Sequence, residues 1–274
     1  MGLNKFFFIP LLLLMCLSFS SCEKVIELDL SESKEVIVIE ALVTSNKEPF
    51  KVLVSKTSSF FGPKTNDAVS GAKVSLRAEN GKPKYFRETS PGVYRLEKIT
   101  APANYWYIVD VEYDGITYSA RSFMNEAVPI ADISFSYFDG FGFFDSGYKV
   151  NCFIRDPADI ENYYRLKYFV NGNPVDDKGE LNLHLDKLFN GKVVGLSQRS
   201  LVFKETDTLT IELQSIDKAA YDYFLMLESI SGNELLQTAS PANPVSNFDN
   251  GALGYFSAYS YERKTVIIKN YLNK

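Results

Sequence analysis

From Val36 onward, turn-forming residues cut the chain into short segments, and within each segment apolar and polar side chains alternate with a period of two. Strands that bury one face follow that rhythm, and helices do not. Composition points the same way. Aromatic residues make up 14% of the chain, with 17 Tyr and 21 Phe, and such side chains fit half-buried pleated surfaces. With 46% hydrophobic residues and a formal net charge of −5, the chain has the apolar content to fold. It lacks the basic excess of a nucleic-acid binder, so no nucleic acid is expected as a partner.

The first half is expected to hold strands at Val36–Val43, Phe50–Lys56, Ala72–Ala78, Tyr85–Glu88, Val93–Leu96, Tyr105–Tyr113 and Thr117–Ser122. Asn80-Gly81 and Asp114-Gly115 read as hairpin turns, where both central residues take φ > 0. Strands in this number and rhythm predict an immunoglobulin-like β-sandwich over 36–124. The pattern breaks at Phe123–Pro129, where a boundary is placed. A second β-rich domain, 125–274, is expected to carry strands at Ile130–Tyr137, Tyr148–Arg155, Tyr163–Val170, Thr208–Leu213, Tyr255–Ser260 and Thr265–Lys269. It has one helix, since Ile216, Ala219, Ala220, Tyr223, Phe224, Leu227 and Ile230 recur at helical spacing before Gly232. That stripe is expected to pack against a sheet.

The N-terminus carries an address. Lys5 precedes the apolar run Phe6–Leu17, followed by Ser18-Phe19-Ser20-Ser21-Cys22. The run is shorter than the roughly 20 residues of a spanning helix and has the zones of a secretory signal. Small side chains directly before a cysteine make residues 1–21 a lipoprotein signal, with cleavage before Cys22 and a lipid on its thiol. Residues 22–35 are then a tether, with Glu23, Glu27, Asp29, Glu32 and Glu35 outnumbering Lys24 and Lys34. The membrane, through the lipid on Cys22, is the first expected partner. Cys152 is left as the only thiol, in a strand-like context that predicts a small buried apolar residue.

Catalytic groupings are scarce. The single histidine, His184, has Asp186 two residues on but no nucleophile elbow. No phosphate loop, dinucleotide fingerprint or zinc spacing is present. Asp176-Asp177 and Asp156, Asp159 and Glu161 are the densest carboxylates, and both groups adjoin turn residues, which predicts turn capping in water. No catalytic residue, metal ligand or cofactor is assigned.

The segment Phe135–Tyr148, FSYFDGFGFFDSGY, is half aromatic. Phe135, Tyr137 and Tyr148 are expected on the flanks of a hairpin, alternating into a core. Asp139-Gly140 and Asp145-Ser146-Gly147 are turn chemistry, so Phe141, Phe143 and Phe144 are expected on a projecting loop that touches a partner protein or stacks on a glycan.

Several stretches together resemble a family of Bacteroidetes lipoproteins, domain of unknown function 4249. They are Cys22–Leu30, Val54–Phe61, Val69–Val74, Ser90–Tyr94, Asp156-Pro157 with Asn162–Arg165, and Asn243–Asn247 followed by Gly254-Tyr255-Phe256. The resemblance implies an outer-membrane lipoprotein, often encoded beside TonB-dependent outer-membrane transporters, whose first half is transthyretin-like or immunoglobulin-like. It implies no activity and no binding residue. The expected function is a non-enzymatic binding or accessory module of such a transport system. A carboxylate-dependent glycan hydrolase and a purely structural envelope protein are the alternatives.

Overall fold

The structure, a computed structural model, describes residues 35–57, 67–97, 99–142, 145–175, 180–198, 200–231 and 243–272. The strands in chain order are β1 (Ile37–Thr44), β2 (Phe50–Lys56), β3 (Asp67–Ala68), β4 (Lys73–Ala78), β5 (Lys84–Tyr85), β6 (Arg87–Ser90), β7 (Val93–Leu96), β8 (Tyr105–Tyr113) and β9 (Ile116–Met124). After them come β10 (Ile130–Phe138), β11 (Gly147–Arg155), β12 (Tyr163–Val170), β13 (Asn173–Pro174), β14 (Leu183–Leu185), β15 (Val193–Ser197), β16 (Thr208–Ile216) and β17 (Leu253–Ile267). The helices are α1 (Lys218–Ser231) and the single turn-and-a-half α2 (Ile268–Leu272). The fold is mainly β, as the period-two alternation requires.

One long sheet runs through the molecule in the order β13-β12-β16-β17-β1-β2-β7-β6, with β14 beside β12 and β3 beside β2. Two smaller sheets, β5-β4-β8-β9 and β10-β11-β15, pack on the same face of it. The first closes a core of Ile39, Val52, Tyr94, Val109, Val111 and Phe256. The second closes a core of Ile133, Cys152, Ile154, Leu166, Ile211 and Leu213. Helix α1 covers the opposite face, where Ala220 and Phe224 meet Tyr163 and Ile216, with Tyr255 and Tyr259 packed alongside. The expected stripe does face a sheet.

The strand that joins these parts is β17. Its first half runs parallel to β1, from Val38↔Leu253 to Thr44↔Tyr259. Its second half runs antiparallel to β16, from Ser215↔Ser260 to Thr208↔Ile267. The sequence divides this segment into two strands, because Tyr261-Glu262-Arg263-Lys264 looks like a charged break. In the structure it is continuous. Arg263 lies on the outer face and pairs with Glu212 (2.7 Å), so a charge in mid-strand costs little there.

Where β17 lacks a neighbouring strand, side chains take its backbone. The Asn247 amide donates to the Phe256 carbonyl (2.8 Å) and accepts the Phe256 N–H (2.8 Å), and the Ala258 N–H donates to Ser122 Oγ (2.8 Å). Gly254 sits at φ +92°, and a Cβ there would lie 2.0 Å from the Ile39 carbonyl oxygen. Only glycine lets β1 approach this closely.

Other differences from the sequence reading have local causes. The expected strand Tyr85–Glu88 is two strands in two sheets, β5 on β4 and β6 on β7; the chain crosses between layers at Phe86, which packs against the first core. Asp114-Gly115 turns with φ of 51° and 75°, as a primed hairpin turn needs, whereas Asn80-Gly81 turns without positive φ. Strands β3, β13 and β14 are too short to stand out by alternation, and β15, reading VVGLS, does not alternate. As for domains, the first core runs through Met124 but also takes in Phe248, Ala252, Phe256 and Ala258. The 36–124 sandwich therefore includes a wall supplied from the far end of the chain, and residues 35–274 make one compact unit.

Two substitutions test this junction by urea unfolding. Gly254→Ala is expected to cost about 3 kcal/mol through strain and overpacking against Ile39. Asn247→Ala should cost about 2 kcal/mol, because the buried Phe256 backbone loses both partners. Full stability in both variants would show that the β1–β17 seam carries little of the fold.

Candidate functional site

The hairpin β10–β11 forms as the sequence reading has it, its ladder ending at Phe138↔Gly147 before the turn. Phe141 projects from that turn, 82% exposed, between Gly140 (φ 80°) and Gly142 (φ 61°). Glycine on both sides lets the backbone reverse without burying the ring. Phe143 and Phe144 lie outside the described residues, as does Cys22. On the flanks, Phe135 and Tyr148 pack against the second core as expected, Phe135 edge-on to Tyr271 (5.9 Å). Tyr137 departs from that expectation: it is 59% exposed, resting edge-on against Tyr148 (5.2 Å). It has the core-facing parity but lies on β10, the edge strand of its sheet, whereas Tyr148 directly opposite it is on the central strand β11.

Of the carboxylates singled out by density, Asp156 is buried and not capping a turn in water, and Asp156 and Glu161 each accept a tyrosine hydroxyl. Asp156, 2% exposed, accepts the Tyr164 hydroxyl (2.6 Å) and the Gly191 N–H (2.9 Å). Burial, with the Asp156 charge adding to it, pushes the Tyr164 phenol well above its ordinary value. Glu161 accepts the Tyr163 hydroxyl (2.5 Å), and Asp159 is exposed. Asp176 and Asp177 lie outside the described residues. Asp186, beside His184, accepts the Asn162 N–H (2.8 Å). Among the described residues, no group of three or more His, Cys, Asp or Glu gathers as a metal site.

Cys152 is fully buried and unpaired. Burial pushes its thiol up to about 12, only partly offset by the Lys264 charge. It is packing, as its strand context indicated.

Sequence reasoning missed two features. One is a polar network on the outer face of the long sheet. Glu212, 3% exposed, takes Arg263 Nε (2.7 Å) and Gln214 Nε2 (2.6 Å), and the Arg263 guanidinium stacks on Tyr261 (4.7 Å). Every partner in this cluster answers another, so it anchors the sheet.

The other is a row of three surface cavities along one rim, of about 260, 310 and 340 Å³. The first two share Tyr105, and the last two share Asn104. Tyr105 is 53% exposed. Asn104, at φ 65°, donates from Nδ2 to Glu126 (2.7 Å). Trp106 lines the middle cavity, held edge-on by Phe123 (5.3 Å) and covered by the Arg121 guanidinium (4.6 Å). In the sequence these residues look like ordinary members of an alternating strand. Their one visible signal is that Trp106 is the chain's single tryptophan.

The architecture and the motif residues identify the class, a family of β-sandwich proteins. The chain belongs to the family "Domain of unknown function (DUF4249)", whose model matches residues 23–265. No curated protein matches the chain. Among solved structures, a two-domain fibronectin type-III segment of chicken tenascin aligns over 66% of this chain and 90% of its own, at 13% identity and a TM-score of 0.22. Trypsin-activated alpha-2-macroglobulin from Escherichia coli aligns over 66% of this chain and 14% of its own, at 11% identity and a TM-score of 0.21. TM-scores of this size correspond to different overall arrangements, so nothing passes from either to this chain.

The residues that carry the family resemblance turn out to hold the scaffold. Tyr94 in the Ser90–Tyr94 stretch donates to the Val69 carbonyl (2.8 Å) and accepts the Ala72 N–H (2.9 Å). A Cβ on Gly92 would meet the Val54 carbonyl oxygen at 2.6 Å. Asn162 donates to the Ile160 carbonyl (2.9 Å), while Asn247 and Gly254 build the β17 seam.

The exposure of Phe141 has a direct consequence. Phe141→Ser should shift unfolding free energy by less than about 0.5 kcal/mol, read by thermal melting. A larger loss would make the ring part of the core. Cys152, by contrast, should react with a maleimide only after unfolding; modification of the native protein would contradict its burial.

Proposed function

We propose that this protein is a lipid-anchored lipoprotein of the outer membrane whose β-rich body is a non-enzymatic binding or accessory module of a TonB-dependent type of transport system. The observation that carries the reading is Phe141, an aromatic ring 82% exposed on a glycine-flanked turn. An exposed aromatic ring offers large contact area at small entropy cost. The lipoprotein-type start, with Ser20-Ser21 before Cys22, and the surroundings implied by the family resemblance supply the anchor and the kind of partner. No helix among the described residues is long and apolar enough to cross a membrane, so the lipid is the anchor the reading relies on. Against the hydrolase alternative stands the place of Asp156, buried under Tyr164 and Gly191.

The experiment is affinity capture from detergent-solubilised membranes. The native chain should co-purify with an outer-membrane transporter, and Phe141→Ser should lose that transporter while keeping its melting temperature. Cys22→Ala should leave the membrane fraction or accumulate as uncleaved precursor, since lasting attachment requires the acyl chains, each buried methylene contributing about 0.8 kcal/mol. An acylated, membrane-bound Cys22→Ala variant would overturn the anchor. Capture of the transporter undiminished by Phe141→Ser would overturn the contact.

A further inference from the structure

The first of the three rim cavities is lined by cations. The chain is acidic overall, with a net charge of −5, yet this cavity is lined by Arg77, Lys82 and Lys84 and by no carboxylate. Arg77 is partly answered by Asp110 (3.7 Å). Lys82 and Lys84 are exposed, and neither forms a salt bridge to a described residue. Two ammonium groups without a salt bridge among the described residues create a local positive field at one small cavity.

The shape adds a second constraint. The cavity is bounded by the end of β4, the starts of β5 and β8, and Ile99, Thr100 and Pro102. Its floor is apolar, formed by Leu76, Ile99 and the ring of Tyr107. The Tyr107 hydroxyl is engaged by the Pro102 carbonyl (2.8 Å), and burial holds the phenol up to about 12, so it stays neutral. The exposed Tyr105 ring is the wall between this cavity and the next. Beyond it, beside Trp106, Asn80 and Asn104 offer amides and Glu79 a carboxylate that can accept from hydroxyls. Each cavity alone is near or below the low end of the range of about 300–1,000 Å³ for small-ligand sites; the two joined at Tyr105 fall inside it.

We propose that these two joined cavities bind an acidic saccharide. Its carboxylate or sulfate sits between Lys82 and Lys84, one ring lies against Tyr105, and the next sugar's hydroxyls meet the Asn80 and Asn104 amides. The chemistry follows from the lining. Cations fix an anion, an aromatic face accepts the C–H face of a pyranose, and side-chain amides exchange hydrogen bonds with hydroxyls. An acidic peptide would leave the Tyr105 wall without a ring to face. The site is on a different surface feature from the Phe141 turn and does not depend on the partner reading.

The test is a titration of the full chain, followed by Trp106 emission and independently by calorimetry. Trigalacturonate represents the carboxylate source and a heparin-derived tetrasaccharide the sulfate source; maltotriose and tetraglutamate are the comparisons. At least one acidic saccharide should bind, weakening as salt rises, and maltotriose should bind at least about tenfold more weakly, as expected when the charge contacts dominate. The double variant Lys82→Glu/Lys84→Glu should weaken binding by a factor on the order of ten or more, with an unchanged melting temperature because both side chains are exposed. Tyr105→Ala should weaken it while keeping the salt dependence. Which of the two saccharides binds more tightly identifies the anionic group. No binding of either acidic saccharide at millimolar concentration overturns the proposal. So does equal binding of maltotriose, tighter binding of tetraglutamate, or binding indifferent to charge reversal. Transporter capture should be unaffected by these substitutions, so failure here and failure at Phe141 are separable.

Discussion

The backbone ladder of β17 is the constraint on which the rest of the structure depends. A strand has two hydrogen-bonding edges, and every buried N–H and carbonyl on them needs a partner. Here the two halves of one strand find different ones. Leu253–Tyr259 pairs with β1 and Ser260–Ile267 with β16. On the edge of the first half away from β1, the Asn247 amide and the Ser122 hydroxyl serve Phe256 and Ala258. The start of α1 is tied to the same place. Asp217, buried next to Ser122, accepts the Ala220 and Phe123 N–H groups (3.0 and 3.2 Å). Burial raises its pKa against the pull of those donors. Helix, first sandwich and second sandwich therefore meet at one polar knot inside an apolar surround, where each member is costly to leave unpaired.

That arrangement decides where the surface is available. With two small sheets on one face of the long sheet and α1 on the other, the faces are largely consumed by packing. Sandwich ends and hairpin turns remain. The rim cavities occur where β4, β5 and β8 end, and Phe141 stands on a turn beyond the second core. Binding features on loops and rims carried by a rigid β scaffold are the common outcome in such folds, because the alternating pattern commits each strand's inner residues to the core.

Much of the strand map was legible in the sequence, and the reason is visible in particular segments. Phe50–Lys56, Val93–Leu96, Tyr105–Tyr113 and Tyr163–Val170 alternate cleanly and are strands over those same residues. Helix α1 showed its 3.6-residue period because only one of its faces is buried. Failures have equally concrete origins. The Tyr261–Lys264 stretch hid the continuity of β17, since Arg263 gains a partner, Glu212, that is 51 residues away. Tyr137 kept the inward parity but not the burial, because parity fixes a side of the sheet and not whether the strand is central or at the edge. The candidate site was legible only in part: the Phe141 turn announced itself through glycine and aspartate, whereas Lys82, Lys84, Asn104 and Tyr105 come from separate turns and strand ends that nothing local connects.

By itself, the sequence determined the class of fold, the hairpins, the helix and its buried stripe, the burial of Cys152 and the family, because each is written in short-range periodicity, turn chemistry or motif. Tertiary structure alone decided that strands from both ends of the chain share one sheet, that Gly254 must be glycine, that Asp156 is bound by Tyr164, and that three cations and a tyrosine converge on one rim. Those are contacts between residues far apart in the chain. Their geometry is set by which faces pack and where the packing ends, and no local pattern encodes that.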